Sequence, residues 1–521
     1  MRSLLWLGAL VAVLTLPFVA RSRRPASSTV SGAATAERIV VITPHNEAVR
    51  YEFGRAFREH MARRGREVEI DWRTPGGTAE ISRYLTSEYL ASFERHWKHD
   101  LGRPWSWKVA RAFMSPLAPT GAAPDDEGAE ARRTFLASDV GCGADLLFGG
   151  GSGEHVKHAD AGRLVDAGVV ARHPEVFGAE IPEMVGGQAY WDRAGRWMGT
   201  CLSSFGICFN RDGLERLGVA VPTSWEALAD PKLRGQLALA DPTKSSSVGK
   251  IFETIVQTQM QRAGVNEGWA RALRLIRRIA GNARYFTDSS SKIPIDVAVG
   301  DAAAGMCIDY YGRFQGQTVA AAGRPGRVGY ASARGETAID ADPIGLLRGA
   351  PHRELAIELI EFVLSEEGQK IWAFRHGTPG GPERYTLRRL PILPSLYEHR
   401  FDQLRADPDD NPYVDVQGFT YHPAWTAPLF GAIAFVVRVM CVDAEAELEQ
   451  AYRALSVAGF PPEATAVFDD VSEIDYPTVS GPLRAALRSP DPLEEAAWAR
   501  RLVQDFRASY ARVTTLARQG R

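Results

Sequence analysis

The chain has 521 residues, which is too long for one ordinary hydrophobic core and predicts two or more domains. Hydrophobic residues make up 45% and charged residues 24% of it, as in a soluble globular protein. The net charge of −2 gives no indication of a nucleic-acid partner, which would call for a basic domain or stripe.

The first 20 residues have the layout of an export signal. One arginine precedes an apolar run from Leu4 to Val19, and Ala20 ends a tolerable cleavage site. The run is slightly short for a membrane span, but RSRR follows at once, so the segment is expected either to be cleaved or to remain as an N-terminal anchor. We therefore expect export to the periplasm or cell envelope, with residues 21–37 as a flexible tether.

Strand and helix patterns alternate after the tether. RIVVI (38–42) and EVEIDW (67–72) predict strands, and the segment between them has the periodicity of a helix. This opening implies a parallel sheet with helices on both faces. Residues 84–134 break the rhythm and are predicted to be an insertion, part helix and part surface loop.

A second alternating series begins after residue 200. The extended run within 196–218 is predicted to cross between two lobes, and 340–350 is the candidate return crossing. ARYF (283–286) and AAGMCI (303–308) predict further strands. From about 390 the chain is predicted to be a helical and irregular extension with no motif of its own.

The cysteines form no recognisable metal motif. Their spacing includes no CxxC pair and no zinc pattern, and an odd count leaves at least one thiol unpaired within the chain. We expect them to be buried small apolar residues, and their disulfide state stays open. The five are Cys142, Cys201, Cys208, Cys307 and Cys441.

Polar residues recur where predicted strands end and helices begin. TPHNE follows the first strand, GGGSGEH follows another, and DPTKSSS and DYYG do the same in the second half. Ligands of open α/β sheets bind at such carboxyl ends, and helix N-termini favour anions. Catalysis is not expected, because the sequence has no GxSxG, no HExxH and no recognisable Cys/His signature, and its acids Asp309, Glu47 and Glu154 are scattered rather than paired.

Tyr310 and Tyr311 are the most informative pair. On a continuing strand one phenol would be core and the other surface. If the strand has ended, both hydroxyls can turn to one cleft and offer a hard oxygen pair that suits ferric iron.

The other candidates have structural alternatives. Ser245, Ser246 and Ser247 are a helix cap or oxyanion ligands, with the cap favoured about two to one. The glycines 149–151 form an anion nest or a tight turn. His45 is a turn residue bonded to backbone or a ligand, and the turn is somewhat favoured.

Residues 38–380 resemble bacterial solute-binding proteins of ABC transporters, in the ferric-ion-binding branch. VVITPHNEAVRYEFGRAF, ADLLFGGG, PTSWEALADPKLRGQ, AAGMCIDYYGRF and FVLSEEGQKIW carry the resemblance. It implies a two-lobed, type II-like periplasmic-binding-protein fold of class α/β, with hinge strands and a ligand cleft between the lobes. Lobe one is expected at 38–195 and 345–380, lobe two at 205–335, and a helical extension at 390–521.

The resemblance also implies a ligand set. In the ferric branch two adjacent tyrosines, a histidine and a glutamate hold the iron; Tyr310, Tyr311 and His45 match, whereas Gly149–Gly151 stand where the glutamate belongs. A glycine-rich loop there suits an oxyanion, and relatives of this branch are thought to bind phosphonates or sugar phosphates. The candidate ligand-binding residues are His45, Asn46, Gly149, Gly150, Gly151, Ser203, Ser204, Ser245, Ser246, Ser247, Tyr310 and Tyr311.

The expected function is delivery of a small solute to an ABC permease in the membrane. The solute is ferric iron or a small oxyanion such as an organophosphate, and the only metal expected is ferric iron as transported ligand, held by Tyr310, Tyr311 and His45. The protein is expected to be a monomer without a cofactor or catalytic residues. The alternatives are an envelope sensory or scaffold protein that uses the same clamp and, last, a secreted hydrolase.

Overall fold

The computed structural model describes residues 36–118, 126–489 and 491–521. The predicted export signal and nearly all of the tether lie outside the described residues. The strands are β1 Glu37–Ile42, β2 Val68–Arg73, β3 Leu146–Phe148, β4 Leu164–Val165, β5 Met184–Val185, β6 Gln188–Ala189, β7 Met198–Ser203, β8 Phe205–Asn210, β9 Leu237–Ala240, β10 Ala283–Thr287, β11 Ala304–Ile308, β12 Val328–Ser332, β13 Asp340–Leu347 and β14 Leu390–Pro391.

The helices occupy both lobes and the C-terminal part. They are α1 Glu47–Ala62, α2 Thr78–Arg95, α3 Trp107–Ala112, α4 Glu127–Ala137, α5 Ser152–Asp160, α6 Val169–Arg172, α7 Arg211–Leu217, α8 Ser246–Ala263, α9 Val265–Gly281, α10 Lys292–Val299, α11 Asp309–Ala321, α12 Arg353–Leu364, α13 Glu366–Ala373, α14 Pro412–Asp415, α15 Pro423–Thr426, α16 Phe430–Val437, α17 Glu445–Ala458, α18 Pro462–Phe468, α19 Tyr476–Thr478, α20 Arg484–Leu487 and α21 Pro492–Arg518. Short 3₁₀ and π turns lie between several of them.

Two main sheets share one strand order. In lobe one the order is β14-β7-β13-β3-β1-β2, with β4 beside β13, and in lobe two it is β10-β9-β11-β8-β12. In lobe one β1 lies between β2 and β3 and is parallel to both, and in lobe two β9 lies in the same way between β10 and β11. An antiparallel strand that enters from the other lobe lies beside the third strand of each set: β13 beside β3, and β8 beside β11. The two-lobed α/β fold expected from the sequence is confirmed.

The lobes are joined where strands pass from one sheet to the other. β7 ends at Ser203 and β8 begins at Phe205, so a single residue separates the two sheets. The return runs from β12 to β13. The chain also crosses a third time: β14 pairs with β7 in lobe one, and the segment 387–422, which we call the strap, leads from there to the helices on lobe two.

Lobe one buries apolar side chains on both faces of its sheet, because successive side chains of β1 point to opposite faces. Ile39 and Val41 face α1, α12 and α13, whereas Val40 and Ile42 face the helices of the insertion. Within the insertion, Phe93 and Phe113 stack with ring centroids 4.5 Å apart. The helical part of the predicted insertion therefore packs against one face of the lobe-one sheet.

The C-terminal helices complete the core of lobe two. Side chains of α16, α17 and α21 share one buried cluster with α8, α9 and the second sheet. Arg277 on α9 is fully buried, donates to the carbonyls of Phe468 and Asp470, and lies against three aromatic rings of the C-terminal part. The expected extension is thus part of lobe two, and lobe one continues beyond residue 380 through β14. In each lobe these later segments cover an apolar face.

One described stretch, Pro423–Val442, is apolar and long enough to cross a membrane on length and composition alone. Most of it is buried, since Leu429, Ile433, Val436 and Met440 belong to the core of lobe two.

Candidate functional site

The predicted site residues lie at the carboxyl ends of equivalent strands in the two sheets. His45 follows β1 and the glycines 149–151 follow β3, while Ser245 follows β9 and Tyr310 follows β11. His45 and the glycines therefore lie at the carboxyl ends of neighbouring strands in the first sheet, and Ser245 and Tyr310 do so in the second.

His45 is held by side chains rather than by a turn. Its backbone N–H donates to Thr43 Oγ1, and its Nε2 lies 3.2 Å from Asp342 Oδ2. The ring packs edge-on against Phe148, 4.7 Å between centroids, and Nδ1 is buried without a partner among the described residues. The interpretation of His45 as a turn residue bonded to backbone is therefore wrong for its ring.

Asp342, on the return strand β13, is the hub of this cluster. Its Oδ2 accepts from Arg389 Nη2 at 2.7 Å and is the atom that faces His45, while its Oδ1 accepts from the backbone N–H of Gly151 at 3.1 Å. Burial alone would raise the pKa of Asp342, but the charge of Arg389 and the hydrogen bond with His45 outweigh it and hold the pKa well below its usual range. Asp342 is therefore a fixed anion with three donors around it.

Arg389 connects this cluster to Tyr310 of lobe two. Its guanidinium carbon lies 4.2 Å from the ring centroid of Tyr310 and 5.6 Å from that of Trp372. The residue is only 3% exposed, and its Nε is buried without a partner among the described residues. The chain of contacts His45–Asp342–Arg389–Tyr310 therefore spans the hinge.

Tyr310 and Tyr311 both lie in the first turn of α11, because β11 ends at Ile308. Their ring centroids are 4.2 Å apart, so the pair shares one side rather than splitting between core and surface. Burial raises the pKa of the Tyr310 phenol well above its ordinary value, Tyr311 raises it further, and Arg389 acts in the opposite direction. At neutral pH the Tyr310 hydroxyl is therefore protonated and can donate a hydrogen bond.

The three serines begin α8 but do not cap it. Ser245 occupies the N-cap position, yet its side chain makes no capping hydrogen bond. Its hydroxyl instead lies 3.2 Å from Ser247 Oγ, which lies 3.1 Å from Ser290 Oγ after β10. Ser246 is exposed. The cap favoured by the sequence is thus wrong for the Ser245 side chain, and the hydroxyls form a small cluster of their own.

The glycine loop packs closely against His45. A Cβ on Gly149 would lie 2.6 Å from a ring atom of His45, and all three glycines have positive φ. The N–H of Gly149 donates to Pro343 O and that of Gly151 to Asp342, so two of the three amides are used within the protein. An anion nest built from all three amides is therefore wrong, and a turn packed on His45 is what the structure has.

Three further predicted ligands have structural roles or no observed partner. The Asn46 side chain caps α1 by accepting from Val49 N at 3.1 Å, so it is committed to the helix. Ser204 Oγ lies near Asp309 Oδ2 and Tyr330 Oη, at 3.4 and 3.2 Å. Ser203 is buried at the end of β7, and its hydroxyl has no partner among the described residues.

A metal site would have to rely on the phenols. Over the described part of the chain, no group of three or more His, Cys, Asp and Glu side chains is placed to hold a metal ion. Glu154, the nearest carboxylate in sequence to the glycine loop, faces Lys157 and His158 on its own helix. All five cysteines are buried with free thiols.

Two residues of the cluster escaped prediction. Asp342 stands in DADPIG, where Asp340 and Asp342 alternate on a strand that is otherwise buried, and this pattern could have flagged them. Asp340 accepts from Ser152 Oγ at 2.6 Å and forms a second polar contact at the hinge. Arg389 had no such signal, because it lies in a segment without a motif.

A family model matches the segment of the chain that carries the two hinge crossings. Residues 144–386 match the family model described as bacterial extracellular solute-binding protein. The predicted resemblance is confirmed. The match includes both crossing strands and Tyr310 and Tyr311, but it ends before Arg389.

Two curated relatives share part of the chain. It is 25% identical over 174 residues to the phosphoglycerate transport regulatory protein PgtC of Salmonella typhimurium, covering 33% of this chain and 39% of the relative. It is 28% identical over 222 residues to iron uptake protein A2 of Synechocystis sp., covering 41% and 59%. The matched stretches thus span less than two thirds of either relative.

Similar solved structures include iron-bound HitA from Pseudomonas aeruginosa, with 15% identity, a TM-score of 0.49 and coverage of 77% of this chain and 99% of that one. The fructose-6-phosphate-bound AfuA from Actinobacillus pleuropneumoniae has 18% identity, a TM-score of 0.42 and coverage of 64% and 82%.

Proposed function

We propose that this protein is an exported solute-binding protein that holds a small solute between its lobes and delivers it to an ABC permease. The observation that carries the proposal is the chain of contacts from His45 through Asp342 and Arg389 to Tyr310, which joins both lobes at the hinge. Two-lobed proteins of this kind close on their ligand by hinge motion. The proposed role is binding, without catalysis.

The proposed solute is a small species that phenolic and hydroxyl oxygens recognise. Ferric iron is supported by the adjacent Tyr310 and Tyr311 and by the partial match to an iron uptake protein. A small oxyanion or organophosphate is supported by the serine cluster at the start of α8 and by the partial match to a phosphoglycerate transport regulatory protein. A sensory or scaffold role is not favoured, because the matched family is one of solute-binding proteins.

Native mass spectrometry of the purified protein tests this function by identifying the small species it retains. Small-angle scattering should then show compaction when that species is added to the stripped protein. A particle whose dimensions do not change with any retained or added solute would contradict hinge closure. Cell fractionation should place the chain beyond residue 37 outside the cytoplasm, and a pool protected from external protease would contradict export.

A further inference from the structure

The strap lies beside both of the other crossings between the lobes. Near its start, Leu390 and Pro391 pair with β7, the strand of the first crossing. Near its end, Phe419 and Tyr421 share a small buried cluster with Ala338, which precedes β13 in the return crossing. The strap therefore flanks the hinge on two sides.

The first part of the strap is fixed to lobe one. The N–H of Ala406 donates to the carbonyl of Ala373, the last residue of α13, at 2.8 Å. The preceding residue, Arg405, is only 3% exposed and holds the next turn of the strap, because its guanidinium donates to the carbonyls of Pro408 and Asp410. This turn is thus carried by lobe one.

The same turn meets α11 of lobe two. Asp410 Oδ2 lies 3.1 Å from Arg313 Nη2, and Arg388 Nε donates to Gln317 Oε1, one helical turn further along α11, at 2.8 Å. Arg388 also pairs with Asp407 in the turn. The side chains of Arg313 and Asp410 are 10% and 25% exposed, so water screens their attraction less than it would at an open surface.

Consecutive residues of the strap engage different lobes. Arg388 contacts Gln317 of lobe two, whereas Arg389 contacts Asp342 of lobe one. The φ of Arg388 is 55°, in the left-handed region that residues other than glycine rarely adopt, and such a conformation persists only where surrounding contacts hold it. A rotation of one lobe against the other must therefore strain or break the contacts between the strap and α11.

We propose that the strap is an interlobe brace, and that the ion pair between Asp410 and Arg313 limits the range of separations that the lobes sample without solute. Asp410 is a positioning residue, since it acts through Arg313 on α11, the helix whose first turn carries Tyr310 and Tyr311. The strap begins just after the family match ends at residue 386, so the brace lies outside that match. The inference rests on the proposed function, in which the lobes move, and a restrained hinge lowers the ordering cost when solute binds.

Double electron–electron resonance between spin labels on the two lobes measures these separations in protein freed of solute by dialysis. Labels at Val156→Cys on α5 and Ile295→Cys on α10 are selective, because both native side chains are exposed and all five native cysteines are buried. The labelled protein that is otherwise wild type should give one narrow main peak of distances.

Asp410→Ala should raise the fraction of molecules outside that peak about tenfold, because it removes a charge-assisted contact that is partly shielded from water. Arg313 keeps Asp309 at 3.8 Å, so its guanidinium retains a carboxylate partner and the variant should fold with little change in thermal midpoint. Asp409→Ala, at the exposed neighbouring residue, is the matched control and should leave the distribution unchanged.

A double-mutant cycle shows whether the two residues act as one contact. If they do, Arg313→Gln combined with Asp410→Ala should broaden the distribution no more than Asp410→Ala alone, and additive broadening would count against the pair. If Arg313→Gln does not fold, Asp410→Asn takes its place, because it removes the charge, keeps the shape of the side chain and should also broaden the distribution.

The proposal is overturned if Asp410→Ala has the distance distribution of wild type, if Asp409→Ala broadens it equally, or if broadening appears only with a large fall in the thermal midpoint. Failure of the proposed function has a different signature. Ferric nitrilotriacetate and inorganic phosphate, with any species retained in native mass spectrometry, would then leave the distances unchanged in wild type and in Asp410→Ala alike, even where Asp410→Ala is the broader of the two.

Discussion

The two lobes have the same strand order, but different kinds of side chain lie at the carboxyl ends of their strands. At the strand ends of lobe one, His45, Arg389 and the backbone of Gly151 all bond to Asp342. On the rim of lobe two, Tyr310, Tyr311, Ser245 and Ser247 are hydroxyl-bearing side chains at helix starts. If the proposed function holds, lobe one supplies a rigid, ion-paired surface and lobe two supplies hydroxyl groups for contact with the solute.

The largest expected effect is on the stability of lobe one. Asp342→Asn removes the charge that pairs with Arg389 and leaves a buried cation uncompensated, which should lower the free energy of unfolding by about 3–5 kcal/mol. Urea denaturation at neutral pH measures it. Ser472→Ala, an exposed substitution far along the chain, serves as the control, and an unchanged midpoint for Asp342→Asn would mean that the hub carries no net stability.

The same pair predicts an acid-sensitive difference. Because the pKa of Asp342 is lowered in the folded protein, its stabilisation is present above the ordinary carboxyl pKa of about 4 and is lost as the pH falls toward the folded value. The stability gap between wild type and Asp342→Asn should therefore stay constant from neutral pH to about pH 5 and shrink in stronger acid. A gap that widens as the pH falls would contradict the assignment of the anion.

On lobe two the largest effect should be on binding. Tyr310→Phe with Tyr311→Phe removes two hydroxyl donors and keeps both rings, so the Kd for the solute should rise about 100-fold with little loss of stability. Calorimetry and thermal unfolding, run on the same samples, separate the two effects. Tyr452→Phe, a phenol bonded to Ala229 O far from the hinge, is the matched control. If both tyrosines can be replaced without loss of binding, the pair is structural.

The serine cluster should make a smaller contribution. Ser247→Ala removes the hydroxyl between Ser245 and Ser290 and should raise the Kd for an oxyanion about tenfold. Ser246→Ala, one residue away and exposed, should have a lesser effect. Equal effects of the two substitutions would show that the arrangement around Ser290 has no special part in binding.

The smallest effect distinguishes a cap from a ligand on lobe one. Asn46→Ala removes the N-cap of α1 and should cost about 1 kcal/mol of stability. Solute affinity should not change, because the side chain is bonded to Val49 N. Asn46→Asp retains a capping oxygen and should restore the stability. Loss of affinity with unchanged stability would return Asn46 to the ligand set.

The sequence predicted those parts of the fold that depend on local pattern. Apolar runs followed by polar loops placed His45, the glycines and the tyrosines at strand ends, and the strand that ends at Ile308 lets both phenols share one side. The pairing of Asp342 with His45 and Arg389 joins residues 297 and 47 positions apart, and local patterns carry no information at that range. Cap positions were likewise misjudged, because Ser245 has a neighbouring hydroxyl that competes for its hydrogen bond.

The merger of the last helices with lobe two dictates when that lobe can fold during synthesis. Trp269 Nε1 donates to the carbonyl of Ile474, a contact across 205 residues, and α9 buries its apolar face against α17. Contacts of such long range form late, because closing the long loop between them costs conformational entropy. The middle third of the polypeptide therefore leaves the ribosome with its apolar faces uncovered, and it must wait for the final helix before its core can close.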